Sequence, residues 1–329
     1  MTPILKQLKR LFVRLSALLN YRHLYTAIII TFLIAFKAFW SPDVLFLVFL
    51  TIFAVYGHGK EYIRKFTPFV ALLISYDALR GIVPFISHRV HFTEMIRFDQ
   101  WMFGGQLPTV TLQHLWYHGS LHWYDYYFYF TYMLHFLAPF IIAALIWKYR
   151  PSRYWQFAGA LLLLSYAGFI TYIVFPAAPP WMASEMHLIP EITKLSTSVW
   201  WSWGVHSIPN LYAHFNPNPV AAVPSLHAAY PTLDLLFVYK FFGRKAAIPF
   251  AIYPISVWLG VVYLGEHYVF DVLLGILYGA AAFYASELVV AKGWDQPIAR
   301  HVRRLTPRWV GRDGAQASAA NDTTQVTPG

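Results

Sequence analysis

The sequence predicts an all-α fold, a polytopic membrane helical bundle of about eight helices. Three observations predict it. Of the 329 residues, 58% are apolar and only 12% are charged, against about 25% charged in a soluble domain. Apolar runs near the ~20 residues that a bilayer span requires recur along most of the chain. Lysine and arginine gather in alternate connecting segments, as they do when successive loops face opposite sides of a membrane.

The elements follow in order. Residues 1–23 are basic, with Leu5, Leu8, Phe12, Leu15 and Leu19 at helical spacing, and read as an interfacial helix on the inner leaflet. Spans are expected at 24–40, 43–57, 67–86, 123–147, 154–175, 225–242, 246–264 and 268–290. The second is short enough to be re-entrant. The chain thus divides into N-terminal membrane helices over 24–66, a membrane core over 67–291, and a tail over 292–329 that is basic and then disordered.

Charge sets the orientation. With the N-terminus inside, the segments 1–23, 58–66, 148–153, 240–245 and 292–329 are all cytoplasmic and hold 20 of the 25 Lys and Arg. That is the positive-inside pattern, so both termini are expected in the cytoplasm. It also accounts for the net charge of +10 without a nucleic-acid partner. Two long loops, 87–122 and 176–223, then face outward, and ten of the fourteen histidines fall on this side. Long loops of this kind usually carry function. The chain has no cysteine, which excludes disulfides, thiolate nucleophiles and Cys-based metal sites.

Three outer-side stretches carry chemistry. "FPAAPPWMA" (175–183) follows the fifth span, and Pro179, Pro180 and Trp181 give it a stiff, extended form. "VPSLHAAYP" (223–231) opens the sixth. Ser225, behind Pro224, is a candidate N-cap, and the helix start offers free N–H groups to a phosphate. His227 stands in that first turn. "YLGEHYVFDVLLG" (263–275) opens the eighth, with His267 and Asp271 four apart on one helical face. A carboxylate there can hold the imidazole tautomer and leave the other ring nitrogen as base or nucleophile. Taken singly, each histidine is also readable as a packed core residue; their common side and depth favours catalysis. His114, His118 and His122, at four-residue spacing, raise a metal alternative, but no HExxH is present and the interfacial reading is preferred, so no metal and no cofactor are assigned. Trp181, Trp200, Trp201 and Trp203 suit an interfacial belt. His135, within the fourth span, is either functional or a hydrogen-bonded core residue. Asp234, seven residues beyond His227, is a candidate supporting group on the same face.

On these residues the sequence resembles the type-2 phosphatidic acid phosphatase superfamily, and within it the inositol phosphorylceramide synthase (inositolphosphotransferase) branch. "PSLH" (224–227) resembles the family's PSGH motif, and "HYVFD" (267–271) matches its H-xxx-D. The resemblance spans about residues 70–290. It implies a six-helix phosphatase-like core plus N-terminal helices. It implies that His267 attacks phosphorus and forms a phospho-histidine, that Asp271 orients it, and that His227 protonates the leaving alkoxide. It implies a phospholipid donor, a hydroxylated lipid or polyprenol acceptor, and a site on the outer or lumenal side of the plasma membrane or an equivalent endomembrane.

The family's other cations are missing. Val261 and Gly260 stand at the arginine and serine positions before His267, and there is no K-x6-R-P. Arg80, ending the third span in "SYDALRG", is the candidate replacement, with Asp77 as its alternative structural partner. The loss fits a lipid phosphotransferase moving a phosphoinositol-like headgroup. Two alternatives stay open: a lipid phosphatase of the phosphatidic acid or polyprenyl phosphate type, and a non-enzymatic transporter.

Overall fold

The computed structural model describes residues 42–81, 83, 89–204 and 218–294. The expected interfacial helix 1–23, the span 24–40 and the tail beyond 294 lie outside the described residues, as does the side chain of Asp77. Twelve α-helices are described: α1 (Pro42–Val55), α2 (Gly59–Arg80), α3 (Thr93–Met102), α4 (Pro108–Trp116), α5 (Trp123–Tyr149), α6 (Tyr154–Val174), α7 (Pro180–Glu185), α8 (Leu195–Ser202), α9 (Leu226–Phe242), α10 (Arg244–Phe250), α11 (Ile252–Tyr263) and α12 (Val269–Ala291). By its internal contacts the chain divides at Tyr284. The unit Met1–Tyr284 holds the whole candidate site. Of the unit Ala285–Gly329, the described part is the end of α12 and a turn to Trp294.

Among the described residues, four stretches are long and apolar enough to cross a membrane: Trp123–Tyr149, Pro151–Val174, Arg244–Tyr263 and Val269–Ala291. The other expected spans that fall within the described residues, 43–57, 67–86 and 225–242, are helical where described but differ from that standard for identifiable reasons. α1 has 14 residues and α9 has 17. α2 has 22, but it begins inside the charged stretch expected as a loop at 58–66. Lys60, Glu61, Arg64 and Lys65 are good helix formers, and they extend α2 below the apolar run and through positions 66–67. The span expected at 246–264 is two helices meeting at Ala251, where Pro249 and Pro254 remove ladder donors on either side.

The bundle interior is an aromatic core. On α2, Tyr62, Phe66, Phe69, Leu73 and Tyr76 recur at three- and four-residue steps and are buried. They meet Phe140, Ile146 and Trp147 of α5, Tyr154, Phe157 and Leu161 of α6, and Leu233 and Phe237 of α9. Gly275 and Gly279 on α12 let it approach α9 with backbone contact. A Cβ on Gly279 would lie 2.5 Å from the Ala229 carbonyl oxygen, and one on Gly275 closer still to that of Ser225. Small residues four apart permit this kind of close helix crossing.

The segments expected as outward-facing loops are not loops throughout: α3, α4, α7 and α8 lie within them. A second core of Met95, Ile96, Leu107, Ala177, Ala183, Ile189, Ala222, Val223 and Tyr268 binds these segments together. The proline-rich stretch is pinned on both sides. The His91 N–H donates to the Pro176 carbonyl (2.8 Å), Ala177 N–H to Val220 (2.8 Å), and Ala222 N–H back to Ala177 (3.2 Å).

Candidate active site

Two helix starts, α9 and α12, build the site. At the head of α12, Gly265 takes a left-handed φ of 81° and turns the chain so that the Glu266 and His267 N–H groups both reach the Val261 carbonyl. His267 is 4% exposed and Asp271 is fully buried. Asp271 Oδ2 lies 3.3 Å from His267 Nδ1 and accepts the Tyr268 N–H at 2.9 Å. At the head of α9, Ser225 Oγ accepts the Ala228 N–H, and the Ser225 N–H donates to the Asp271 carbonyl at 3.0 Å. The two helix starts are therefore tied directly to each other.

The result is a file of three groups. His227 Nδ1 stands 3.0 Å from His267 Nε2. A carboxylate only accepts, so His267 donates from Nδ1 and presents Nε2 as an acceptor. His227 then donates from Nδ1, which leaves its Nε2 lone pair without a hydrogen-bond partner among the described residues. The Tyr132 ring stacks on His227 at 4.5 Å between centroids, and the His135 ring meets it edge-on at 4.0 Å. His135 donates from Nδ1 to the Tyr132 carbonyl (2.6 Å), so its Nε2 is left as an acceptor.

His227 and His135 line a cavity of about 80 Å³. Its other polar walls are Arg80 at the end of α2 and the tyrosines Tyr76, Tyr172 and Tyr230; Leu73, Phe136, Phe140 and Leu161 make it apolar further in. The structure thus brings Arg80 and His135 to His227. Such a set can hold an anion beside an apolar chain, attack it from a histidine whose tautomer is fixed, and exchange a proton through a second histidine.

Other expected site residues have different places. Ser225 is fully buried and its hydroxyl is used as the N-cap. The Pro224 carbonyl accepts from Tyr172 Oη at 3.0 Å. Pro179 and Pro180 start α7, and Trp181 donates its N–H to the Gly265 carbonyl at 3.1 Å, while Lys194 Nζ sits 4.0 Å above its ring. None of Pro179, Pro180, Trp181, Pro224 and Ser225 lines the cavity; they hold the turns that carry the histidines. The stripe of His114, His118 and His122 does not form. α4 ends at Trp116, and Gly119 at φ 85° turns the chain away. Asp234 is buried two turns below His227, and neither carboxylate oxygen has a hydrogen-bond partner among the described residues. Asp125 closes a capping box at the start of α5 and accepts from Tyr263 Oη, apart from His135.

Several contributors were not read from the sequence. Asp99 on α3 accepts the Val269 and Phe270 N–H groups, both at 3.0 Å. Gln113 on α4 donates to the Thr193 and Tyr263 carbonyls (2.8 and 2.9 Å) and accepts from Thr193 N–H (2.8 Å). Ser196 donates to Glu266, next to His267. An acid within the otherwise surface-like "RFDQWM" was the one local signal for Asp99; the others carry none.

With the geometry in hand, similarity to known proteins is informative. The sequence model of the PAP2 superfamily matches residues 93–285. A phosphoinositol dihydroceramide synthase of Bacteroides thetaiotaomicron is 29% identical over 220 residues, covering 64% of this chain and 71% of that one. The inositol phosphorylceramide synthase of Candida albicans is 27% identical over 160 residues, and the catalytic subunit of that enzyme from Schizosaccharomyces pombe 28% over 166. These matches cover 46% and 47% of this chain but only 33% and 38% of the two fungal proteins. No solved structure matches.

Proposed function

Because the chain belongs to the PAP2 superfamily, we propose that it is a membrane lipid phosphotransferase that moves a phosphoinositol-like headgroup from a phospholipid donor to a hydroxylated, ceramide-like lipid acceptor. The names of the three relatives support this headgroup and acceptor class. The observation that carries the reading is the file Asp271–His267–His227, at 3.3 and 3.0 Å, set against a cavity walled by Arg80.

In this reading the donor phosphoryl group takes the place of the contact between the two histidines. His267 Nε2 supplies the electron pair for the new N–P bond, and the bond from phosphorus to the donor's glycerol oxygen breaks. His227 gives its proton to that leaving oxygen. The acceptor hydroxyl then loses its proton to His227 and attacks phosphorus, and the N–P bond breaks to restore His267. Asp271 stabilises the imidazolium that forms at His267. Arg80 balances the phosphoryl charge where the superfamily's motif cations are absent. The steps call on no metal or cofactor. The site faces the outer or lumenal side, in keeping with the gathering of 20 of 25 Lys and Arg in the other set of loops.

The test is product identity. Purified protein is given a phosphatidylinositol-type donor labelled in its phosphate, with and without a long-chain ceramide-like alcohol. A labelled lipid product that requires the alcohol is expected. Steady release of inositol phosphate or free phosphate without it would point to the phosphatase alternative.

A further inference from the structure

Asp99 is fully buried, and both of its carboxylate oxygens serve a helix 170 residues away in sequence. Oδ2 accepts the Val269 N–H and Oδ1 the Phe270 N–H. These are the first two donors of α12, which no intrahelical carbonyl can reach. Val269 and Phe270 are also the residues between His267 and Asp271 beyond Tyr268. The hold is reinforced by packing. The Phe98 ring meets Phe270 at 4.9 Å, and Met95 and Ile96 share a buried cluster with Tyr268.

We propose that Asp99 is a positioning residue for the transfer reaction: by capping α12 from α3, it fixes His267 and Asp271 in line with His227. The inference rests on the reading of His267 as nucleophile. The physical reason is competition for acceptors. Asp271 Oδ2 already accepts the Tyr268 N–H as well as facing His267 Nδ1. If Asp99 is lost, two part-buried amides lack their present partner, and the Asp271 carboxylate is an acceptor within one turn of both. Turning toward them draws it away from His267. Asp99 therefore frees Asp271 for the imidazole.

The experiment compares the full-length Asp99→Asn, Asp99→Ala and His267→Ala variants with the unaltered protein, in the donor–acceptor assay above. Rates are taken per molecule of monodisperse, folded protein. Asp99→Asn keeps the shape but offers one acceptor where two are needed. Its kcat is expected to fall roughly ten- to a hundredfold, the size of effect that a small misplacement of catalytic groups produces. Its KM is expected to stay within about twofold, since no substrate contact is removed. Asp99→Ala falls further, and where it does not fold the asparagine variant decides alone. Asp99→Asn with unaltered kcat overturns the inference, as does a raised KM at constant kcat. If His267→Ala turns over normally, the nucleophile reading itself fails; if it is inactive while Asp99→Asn is unaffected, only the role of Asp99 is lost.

Discussion

His227 touches His267 through Nδ1 and also lines the cavity, and that double placement organises the chemistry at the scale of residues. In the proposed reaction the Nδ1 proton of His227 passes to the leaving oxygen once the phosphoryl group stands between the two histidines. Arg80 lines the same cavity. Arg80→Ala is therefore expected to lower kcat/KM by roughly a hundredfold, as loss of one charge-stabilising donor does, with Arg80→Lys recovering part of it. Steady-state assays at fixed donor concentration check this, and an alanine variant with unaltered kcat/KM removes Arg80 from the account. Asp99 adds a titration. Burial holds its carboxyl up at about 6 against the ordinary 3.8, although the Val269 and Phe270 amides pull it down. Between those values the folded chain binds a proton that the unfolded chain has released. Its contribution to stability is complete below about pH 4 and is lost as pH rises through about 6. Thermal unfolding at pH 4.5 and pH 7 should show a smaller difference in Asp99→Asn than in the unaltered protein; an equal difference would mean that Asp99 does not titrate in this window.

Among the elements, the pair α9 and α12 matters most, because His227 stands in the first turn of α9 and His267 two residues before the start of α12. Gly275 and Gly279 set the spacing of these helices. A methyl group on Gly275 meets the Ser225 carbonyl, one turn from His227, and backbone cannot yield as a side-chain tip can. Gly275→Ala is expected to destabilise by about 1–3 kcal/mol through overpacking and to depress kcat as the histidines part. Gly159→Ala, in α6 with open space around it, is the matched control and should leave both unaltered. A Gly275→Ala protein with normal activity and melting temperature would show that the close crossing of α9 and α12 does not set the position of the histidines. This scale also explains what could be read in advance. The contact of His267 with Asp271 was legible because a four-residue spacing is local information, although His267 lies in the turn two residues before α12 and not on the helix itself. Ser225 as a cap was legible for the same reason, though its hydroxyl proved to be occupied by the Ala228 amide. Asp99 was not legible, because a cap supplied by another helix leaves no periodicity in either segment. The histidine stripe has helical spacing, which raised the metal alternative set aside above, but α4 ends at Trp116 and Gly119 turns the chain before His122.

For the whole molecule, hydropathy and charge were enough to give a helical membrane bundle, but not its exact spans. The charged start of α2 joins the helix rather than the loop, and the outer segments fold into four short helices over a core of their own. The sidedness is open to direct measurement, and the absence of cysteine makes it clean. Ser120→Cys, exposed in the stretch between α4 and α5, should react with a membrane-impermeant thiol reagent in intact cells; Ser152→Cys, exposed between α5 and α6, should react only after permeabilisation. The reverse pattern would place the histidines on the cytoplasmic side.

The covalent step is the centre of the account, and rapid quenching tests it most directly. Phosphate-labelled donor is mixed with the protein without acceptor, stopped in denaturant within milliseconds, and the chain is examined for acid-labile, base-stable label. The account predicts label at His267, its discharge on adding the acceptor alcohol, and its absence in His267→Ala. Label that persists in His267→Ala, or full turnover with no protein-bound label at any time, would contradict it.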